Sequence, residues 1–263
     1  MEKLGAQEAH HTAVPTERGL DVQQCFEKQL SLGRPLQLSE QGQILEAAIE
    51  AAANAVIKIV DSLNEWDSRT GDGDCGSTMY KGAPAILEDL ETYPLNDTAE
   101  TVNEIGSSIG RVMGGKSRII YSIFCKAFYA QLKTSTRSDV TAKKCEMIEY
   151  CNRDEALEAA IATVSKYGGA SAGYRTLLDA LIPASTVLQE KLNAGEDSVT
   201  TFLLSSEAAL AGAESTIHMQ AQAGRSTYVP VEILASVPDP GAMDAVSWYR
   251  AAALAVRDKC QPS

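Results

Sequence analysis

Apolar side chains recur at steps of three and four residues along most of this chain, and this spacing constrains the fold more than any other feature. Such a period places apolar side chains on one face of an α-helix. In the first segment, after Ser39 as a predicted N-cap, they are Leu45, Ile49, Ala52, Val56, Ile59, Val60 and Leu63. The same period predicts seven further helices over residues 80–90, 102–113, 119–132, 156–167, 177–192, 199–219 and 242–256.

Signals for β-structure are weak in the same sequence. No two alternating β-branched runs are separated by a hairpin turn, and Pro230 restricts the extended candidate STYVPVEIL, residues 226–234, to an edge strand or a loop. Polar residues 133–152 predict a loop with a short helix, and residues 1–37 predict a tail or linker. The chain is therefore expected to form one all-α domain over residues 38–260.

Charge and cysteine usage exclude several classes of protein. A formal net charge of −12 and a pI near 4.8 argue against nucleic-acid binding, because the surface repels polyanions. No apolar run approaches the roughly 18 residues of a membrane span, and the N-terminus lacks signal-peptide or transit-peptide features. The six cysteines show no metal-ligand spacing. These features predict a cytosolic protein with reduced thiols and no membrane partner.

The stretch GRVMGGKS, residues 110–117, matches the P-loop pattern G-x-x-x-x-G-K-[ST]. A P-loop needs a β-strand before the glycine turn, but the residues before Gly110 follow helical spacing, with Asp97 or Thr98 as the predicted N-cap. The match therefore does not indicate a P-loop nucleotide enzyme. Gly114 and Gly115 lie between two predicted helices, which suits either an anion site at the amides of the second helix or a plain tight connection.

Three aspartates in the segment NEWDSRTGDGDCGST predict a metal site. Asp67, Asp72 and Asp74 are expected just after the first long helix, where Gly71, Gly73 and Gly76 make the chain pliable. Two carboxylates about 4 Å apart repel by about 4 kcal/mol at an effective dielectric near 20. A divalent cation would compensate this repulsion, and oxygen ligands alone favour Mg²⁺, Ca²⁺ or Mn²⁺ over zinc. The alternative is that the aspartates only form a turn.

The segment from Asp67 to Thr78 resembles the signature of the L domain of dihydroxyacetone kinases, the ATP-binding half of triokinase/FMN cyclase-like enzymes. The resemblance continues, in order, through residues 113–115, 173–184, 212–229 and 239–242, and it covers about residues 38–258. It implies an eight-helix antiparallel barrel that binds a nucleotide at one end.

The resemblance also implies a site and an activity. Asp67, Asp72 and Asp74 would hold two Mg²⁺ ions, or Mn²⁺, that bridge the phosphates of ATP or ADP. Kinase activity would transfer the γ-phosphate of ATP to dihydroxyacetone or glyceraldehyde held by a K-type domain in trans. No catalytic residue is assigned. The expected nucleotide-binding residues are Asp74, Cys75, Gly76, Ser77, Thr78, Lys116, Ser117, Gly168, Thr176, Leu177, Asp239, Pro240 and Gly241.

The sequence departs from the family pattern at several positions. Lys116 and Arg118 replace a small hydroxyl residue and a glycine, and Tyr174 replaces an acidic residue. His218 replaces an asparagine and is interpreted as packed or solvated. Nothing in the 263 residues could house a K domain, so a separate K-type partner is expected. FAD–AMP lyase activity that forms cyclic FMN, a non-catalytic nucleotide-binding paralogue, and homodimer formation stay open.

Overall fold

The computed structural model describes residues 33–138 and 146–260. The predictions for residues 1–32 and for residues 139–145 lie outside the described residues. Ten α-helices occur in the described ranges, and no strand does. They are α1 (Glu40–Lys58), α2 (Val60–Thr70), α3 (Cys75–Asp89), α4 (Thr98–Val112), α5 (Gly115–Ser138), α6 (Glu146–Gly168), α7 (Leu178–Asn193), α8 (Ser198–Ser215), the one-turn α9 (Val231–Leu234) and α10 (Pro240–Cys260).

Eight of these helices form a closed ring. Going round it, α1 packs on α3, and α3, α4, α5, α6, α7 and α8 each pack on the next in that order. Helix α8 then packs on α10, and α10 packs on α1. Helix α2 follows α1 and contacts α3 and α10. The expected all-α fold and eight-helix barrel are therefore confirmed. The helix count corresponds to the eight predicted segments when α1 and α2 are taken together and the one-turn α9 is left out.

The alternating direction of the helices brings four connections to one end of the barrel. These are residues 71–74, 113–114, 169–177 and 216–239. Short connections force consecutive helices to run in opposite directions. Every residue that the sequence predicted to bind metal or nucleotide lies in one of these connections or in a helical turn beside it, so we call this the polar end of the barrel.

The barrel interior is apolar. Side chains such as Leu63, Leu178 and Leu181 are fully buried, and apolar side chains from helices around the ring surround a cavity of about 410 Å³. Burial of this kind stabilises the fold by roughly 25 cal/mol per Å² of apolar surface removed from water. Among the side chains with polar groups that also line the cavity are Tyr121, Asp244 and Trp248.

Side-chain caps fix where several helices begin. The Ser39 hydroxyl accepts a hydrogen bond from the Gly42 amide at 3.0 Å, and an Asp97 carboxylate oxygen accepts one from the Glu100 amide at 3.0 Å. Such caps satisfy amides that have no partner inside the helix, and each stabilises it by about 1 kcal/mol. The predicted N-cap Ser39 is confirmed, and of the two candidates Asp97 and Thr98 for α4, the N-cap is Asp97.

The first predicted helix differs from expectation. It breaks at Ile59, whose backbone (φ −104°, ψ 8°) leaves the helical region, and α2 then continues to Thr70. Asp67 therefore lies in the last turn of α2, and the expectation that it follows the helix was wrong. Because Asp67 is fixed on a helix, its carboxylate has a defined direction toward the loop of residues 71–74.

The polar stretch 133–152 contains more helix than predicted. Helix α5 continues to Ser138 and α6 already begins at Glu146. Lys133 forms ion pairs with Asp97 (3.2 Å) and Glu100 (2.9 Å) of α4, which gives this polar turn of α5 partners in the barrel wall. The polar residues 133–138 and 146–152 therefore belong to helices.

The segment after α8 is irregular rather than extended. Helix α8 ends at Ser215, and two 3₁₀ turns follow at Thr216–His218 and Arg225–Tyr228, before α9. Residues 226–234 thus form no strand, in agreement with the restriction that Pro230 imposes. His218 is exposed, consistent with its interpretation as a solvated residue.

Other negative expectations agree with the described residues. Gly110 lies inside α4, so no strand precedes the P-loop-like stretch. Cys75, Cys125 and Cys260 are free thiols. None of the helices in residues 33–138 and 146–260 combines the length and apolar character needed to cross a membrane. The cytosolic location stays a prediction.

Candidate metal and nucleotide site

Three carboxylates converge at the polar end. Asp67, Asp72 and Asp74 each offer one oxygen, and these three atoms lie within 4.8 Å of one another. Asp72 and Asp74 are exposed and Asp67 is partly buried. One Asp67 oxygen, Oδ2, accepts hydrogen bonds from the amides of Asp74 (2.9 Å) and Cys75 (3.0 Å), which orients its carboxylate toward the loop. The predicted metal ligands are thus brought together, and we call them the carboxylate trio.

Glycines permit the tight loop that carries the trio. Gly71 ends α2, and its amide donates to the Asp67 carbonyl at 2.6 Å. Gly73 has a φ of +79°, a conformation that residues with a Cβ rarely adopt. Gly76 has a different role, because a Cβ there would overlap the Val60 carbonyl of α2. Gly76 therefore allows α3 to pack closely on α2.

The first turn of α3 is held by α2. The Ser77 amide donates to Asn64 Oδ1 at 3.0 Å, while Asn64 Nδ2 donates to the Ser77 hydroxyl at 3.1 Å. The Thr78 amide donates to the Asp74 carbonyl at 2.8 Å. Both Ser77 and Thr78 lie beside the trio, but Ser77 is already engaged within the protein.

Cys75 lies between the trio and two buried carboxylates. Burial raises the pKa of its thiol, and the negative charges of Asp244, Asp67, Asp239 and Asp74 raise this pKa further, in that order. The thiol is therefore neutral at physiological pH and is a poor nucleophile. Cys75 can contact a ligand as a small apolar group.

Ser117 follows the connection between α4 and α5. Gly115, with a φ of +63°, begins α5, so Lys116, Ser117 and Arg118 occupy its first turn. Ser117 lies one turn before Tyr121, whose hydroxyl donates to Asp244 Oδ2 at 2.5 Å. Amides in a first helical turn have no helical partner and favour anions. The charged groups of Lys116 and Arg118 are exposed, and within the described residues neither forms an ion pair.

A second group of predicted residues lies where α7 and α10 begin. The Thr176 amide donates to Asp179 Oδ2 at 2.8 Å, and an added Cβ on Gly241 would lie 3.8 Å from the Leu177 amide nitrogen. The structure thus brings Thr176 and Leu177 together with Asp239, Pro240 and Gly241. Gly168 is exposed at the end of α6, and no hydrogen bond of the described residues joins it to this group.

Asp239 is buried at the start of α10. Its Oδ1 accepts a hydrogen bond from the Ala242 amide at 2.8 Å and so caps the helix. Burial raises the pKa of Asp239 to about 6, although this hydrogen bond and the charge of Arg175 lower it. This carboxylate is therefore a structural cap within the polar end.

Arg175 organises the same connections from inside the protein, and sequence reasoning did not identify it. Its side chain is fully buried, and its backbone has a φ of 64°. Its Nε donates to the Thr216 carbonyl (3.2 Å), and its Nη2 donates to the carbonyls of Leu234 (3.1 Å) and Val237 (2.6 Å). Its Nη1 lies 3.8 Å from Asp239 Oδ2. We call Arg175 with these acceptors the arginine hub.

Asp244 was also missed, because one acidic residue on an apolar helix face gives no distinctive signal. It is fully buried, and its Oδ1 has no hydrogen-bond partner among the described residues. The Tyr121 hydroxyl, which donates to its Oδ2, accepts a hydrogen bond from Trp248 Nε1 at 3.3 Å. Burial raises the pKa of Asp244 to about 7, with the Tyr121 hydrogen bond acting in the opposite direction.

Arg225 is the third residue that the sequence did not point out, although it lies in the matched stretch 212–229. Its guanidinium Nη1 forms an ion pair with Asp72 Oδ2. Both side chains remain largely exposed. The guanidinium of Arg225, from a segment distant in sequence, therefore forms an ion pair with one member of the carboxylate trio.

Comparisons with known proteins agree with this geometry. The family model described as "DAK2 domain" matches residues 69–254. The chain is 69% identical over 230 residues to a putative 3,4-dihydroxy-2-butanone kinase of Solanum lycopersicum, covering 87% of this chain and 37% of that protein. It is 32% identical over 204 residues to the triokinase/FMN cyclase of Homo sapiens, covering 77% of this chain and 33% of the human protein.

Solved structures give the same result. The dihydroxyacetone kinase of C. freundii in its native form superposes with a TM-score of 0.65 at 27% identity, covering 96% of this chain and 38% of that one. A complex of the same kinase with AMP-PNP and Mg²⁺ gives a TM-score of 0.62 at 26% identity. The chain thus spans little more than a third of the length of these relatives. The resemblance inferred from the sequence motifs is confirmed.

Proposed function

This chain belongs to the DAK2 domain family, and we propose that it is the ATP-binding L domain of a kinase for dihydroxyacetone or glyceraldehyde. The carboxylate trio is the observation that carries the proposal, because three oxygens within 4.8 Å at an exposed loop can accept a divalent cation. A solved relative that binds AMP-PNP and Mg²⁺ supports the same nucleotide and metal here. The specific acceptor remains part of the proposal.

The donor set fits Mg²⁺, with Mn²⁺ as a substitute. It consists of carboxylates without histidine, and Cys75 has a raised thiol pKa that disfavours the thiolate needed for zinc. Asp67, Asp72 and Asp74 would hold the metal, which we propose to be two ions. When bound, these ions neutralise phosphate charge and orient the transferring group.

The remaining side chains and amides of the polar end would position the nucleotide. The first turn of α5 offers the amides and hydroxyl of Ser117 to phosphate, with Lys116 beside it. Thr176 and Leu177 face the start of α10 at Asp239, Pro240 and Gly241, and we propose that these segments frame the purine and ribose together with Gly168. Cys75 and the first turn of α3, from Gly76 to Thr78, complete the wall nearest the trio.

A K-type domain would supply the acceptor. The solved kinase and the curated relatives are nearly three times as long as the part that this chain matches. We therefore propose that phosphate transfer requires a K-type domain in addition to the residues of this chain.

Reconstitution tests this proposal. The chain is mixed with the K-type portion of the tomato relative, ATP, Mg²⁺ and dihydroxyacetone, and triose phosphate is measured. We expect product that depends on both proteins and disappears with Asp72→Asn. A matched control is Glu65→Gln, which removes a nearby exposed carboxylate outside the trio. Absence of product in a mixture that still binds Mg²⁺ and ADP would refute the kinase assignment.

Lyase activity on FAD is a second candidate, supported by the similarity to a triokinase/FMN cyclase. It would use the same trio to bind the FAD diphosphate. Incubation of the chain with FAD and Mn²⁺ distinguishes the two, since formation of AMP and cyclic FMN without a K-type partner indicates the lyase. Nucleotide binding without turnover in either assay would favour a non-catalytic paralogue. This alternative is considered because Lys116, Arg118 and Tyr174 depart from the family pattern.

A further inference from the structure

The ion pair between Arg225 and Asp72 joins two parts of the polar end that are 153 residues apart in sequence. Asp72 lies in the loop of residues 71–74, whereas Arg225 begins the 3₁₀ turn Arg225–Tyr228. Both side chains are well exposed, at 57% for Arg225 and 41% for Asp72. An exposed guanidinium can be hydrated by water instead of pairing with a carboxylate. The pairing of Arg225 with a proposed metal ligand therefore needs an explanation from the local structure.

The backbone aims Arg225 at the trio. Gly224 has a φ of +76°, which turns the chain sharply before the arginine. The Gln222 amide donates to the Tyr174 carbonyl at 3.2 Å, and the Thr227 hydroxyl donates to the Gly224 carbonyl at 2.9 Å. The arginine hub fixes both flanks of this segment through the carbonyls of Thr216 and Leu234. Arg225 therefore extends from an anchored segment.

Arg225 is the cation that the described residues place on the trio. Within residues 33–138 and 146–260, Arg225 is the basic side chain that forms an ion pair with the trio, and Lys116 and Arg118 form none. Among the described residues, the three carboxylates thus have one intramolecular counter-charge, that of Arg225, which pairs with Asp72. Asp67 is meanwhile oriented by the amides of Asp74 and Cys75.

We propose that Arg225 competes with the divalent metal for Asp72 and thereby makes metal binding depend on the nucleotide. The inference rests on the proposed function, because it concerns the same metal and the same nucleotide. Asp72 Oδ2 cannot accept the guanidinium and coordinate an ion at the same place, and a cation beside the trio repels a second one. Without nucleotide, Arg225 therefore weakens the metal site.

A polyphosphate changes this balance. It offers Arg225 a second anionic partner and gives the metal further oxygen ligands, so Asp72 is released to the metal. Because coupling between two ligands is reciprocal, the metal must strengthen nucleotide binding by the same factor. The ion pair would thus prevent the trio from accumulating free metal while favouring the metal–nucleotide complex.

Titration of Mn²⁺ without nucleotide tests the competition directly, with free Mn²⁺ measured by electron paramagnetic resonance. Arg225→Gln should lower the Mn²⁺ Kd about fivefold or more, and Arg225→Lys should lie between this variant and the wild type. Arg257→Gln is the matched control, since it removes the same charge from an exposed ion pair with Asp258 near the opposite end of α10. This control should leave the Kd unchanged.

A second titration in the presence of ADP completes the test. The ratio of the Mn²⁺ Kd values without and with ADP should fall at least fivefold in Arg225→Gln. If Arg225→Gln matches Arg257→Gln in both titrations while the wild type binds Mn²⁺ with ADP, the competition is refuted and the proposed function stands. If neither the wild type nor Arg225→Gln binds Mn²⁺ under any condition, both proposals are refuted.

Discussion

The arginine hub and the carboxylate trio lie at the same end of the barrel, but they differ in how far their charges are buried and how they are compensated. Arg175 is fully buried and has three carbonyl acceptors and a nearby carboxylate. The trio is largely exposed and shares one exposed counter-charge. A buried charge held by several acceptors within the protein serves the fold, whereas exposed charges with a single counter-charge are available to a ligand. We therefore expect substitutions in the hub to change mainly the free energy of unfolding, and substitutions in the trio to change mainly ligand binding.

The largest effect on stability is expected from the hub. Arg175→Met removes the guanidinium donors to the carbonyls of Thr216, Leu234 and Val237 and leaves Asp239 without its buried cation. We expect the free energy of unfolding to fall by about 3–5 kcal/mol, as for other broken buried ion pairs, measured by urea denaturation. Arg250→Met, which disrupts an exposed pair with Glu207, should cost no more than about 1 kcal/mol. Equal losses in the two variants would contradict the structural role of the hub.

Asp244 should make stability depend on pH. Its pKa is raised by burial from the ordinary value of 3.8 to about 7 in the folded protein. Between these two pH values the folded state retains a proton that the unfolded state has lost. Its stabilising contribution is therefore full below pH 4 and is lost as pH rises through 7. Relative to Asp244→Asn, the wild type should lose up to about 4 kcal/mol over this range.

Urea unfolding of both proteins in EDTA at pH 4, 5, 6, 7 and 8 measures this trend. The chelator keeps metal binding at the trio from contributing to the difference. A difference between wild type and Asp244→Asn that stays constant with pH would show that Asp244 is ionised in the folded protein throughout.

A smaller effect on stability is expected at the contact between α2 and α3. Gly76→Ala places a methyl group against the Val60 carbonyl and should cost about 1–3 kcal/mol through overpacking. Gly114→Ala is the matched control, because no atom lies within 4 Å of a Cβ there and its φ is not positive. If the two variants unfold at the same urea concentration, Gly76 does not have the packing role assigned to it.

The trio should have the smallest effect on stability. Asp72→Asn removes an exposed ion pair with Arg225 and also relieves repulsion from Asp67 and Asp74, so the two contributions oppose each other. We expect the free energy of unfolding without metal to change by less than about 0.5 kcal/mol. A loss as large as that of Arg175→Met would mean that the trio belongs to the fold and not to a ligand site.

The helices of the barrel and the carboxylate trio could be predicted from the sequence because each follows from the spacing of residues that are close along the chain. Apolar spacing such as that of Leu45, Ile49 and Val56 fixes a helix face whatever its partner, and three closely spaced aspartates among glycines indicate a cation. The break at Ile59 was not accessible, since the apolar period continues through it and packing decides the interruption.

The interactions that complete the polar end arise between distant segments. Arg225 meets Asp72 across 153 residues, and Tyr121 meets Asp244 across 123. Spacing rules describe neighbours along the chain and therefore contain no information about such pairs. Arg175 was hidden for a related reason, because its role depends on a positive φ and on carbonyls of the segment 216–237.

Calorimetric titration with ADP tests the central claim most directly. The wild type and Asp72→Asn are titrated in Mg²⁺ and again in EDTA, with Glu65→Gln as the control for loss of one surface carboxylate. We predict that the wild type and Glu65→Gln bind ADP at least tenfold more tightly in Mg²⁺, and that Asp72→Asn loses this dependence. Equal ADP affinity in Mg²⁺ and EDTA, or wild-type behaviour of Asp72→Asn, would contradict the assignment of the trio as a metal–nucleotide site.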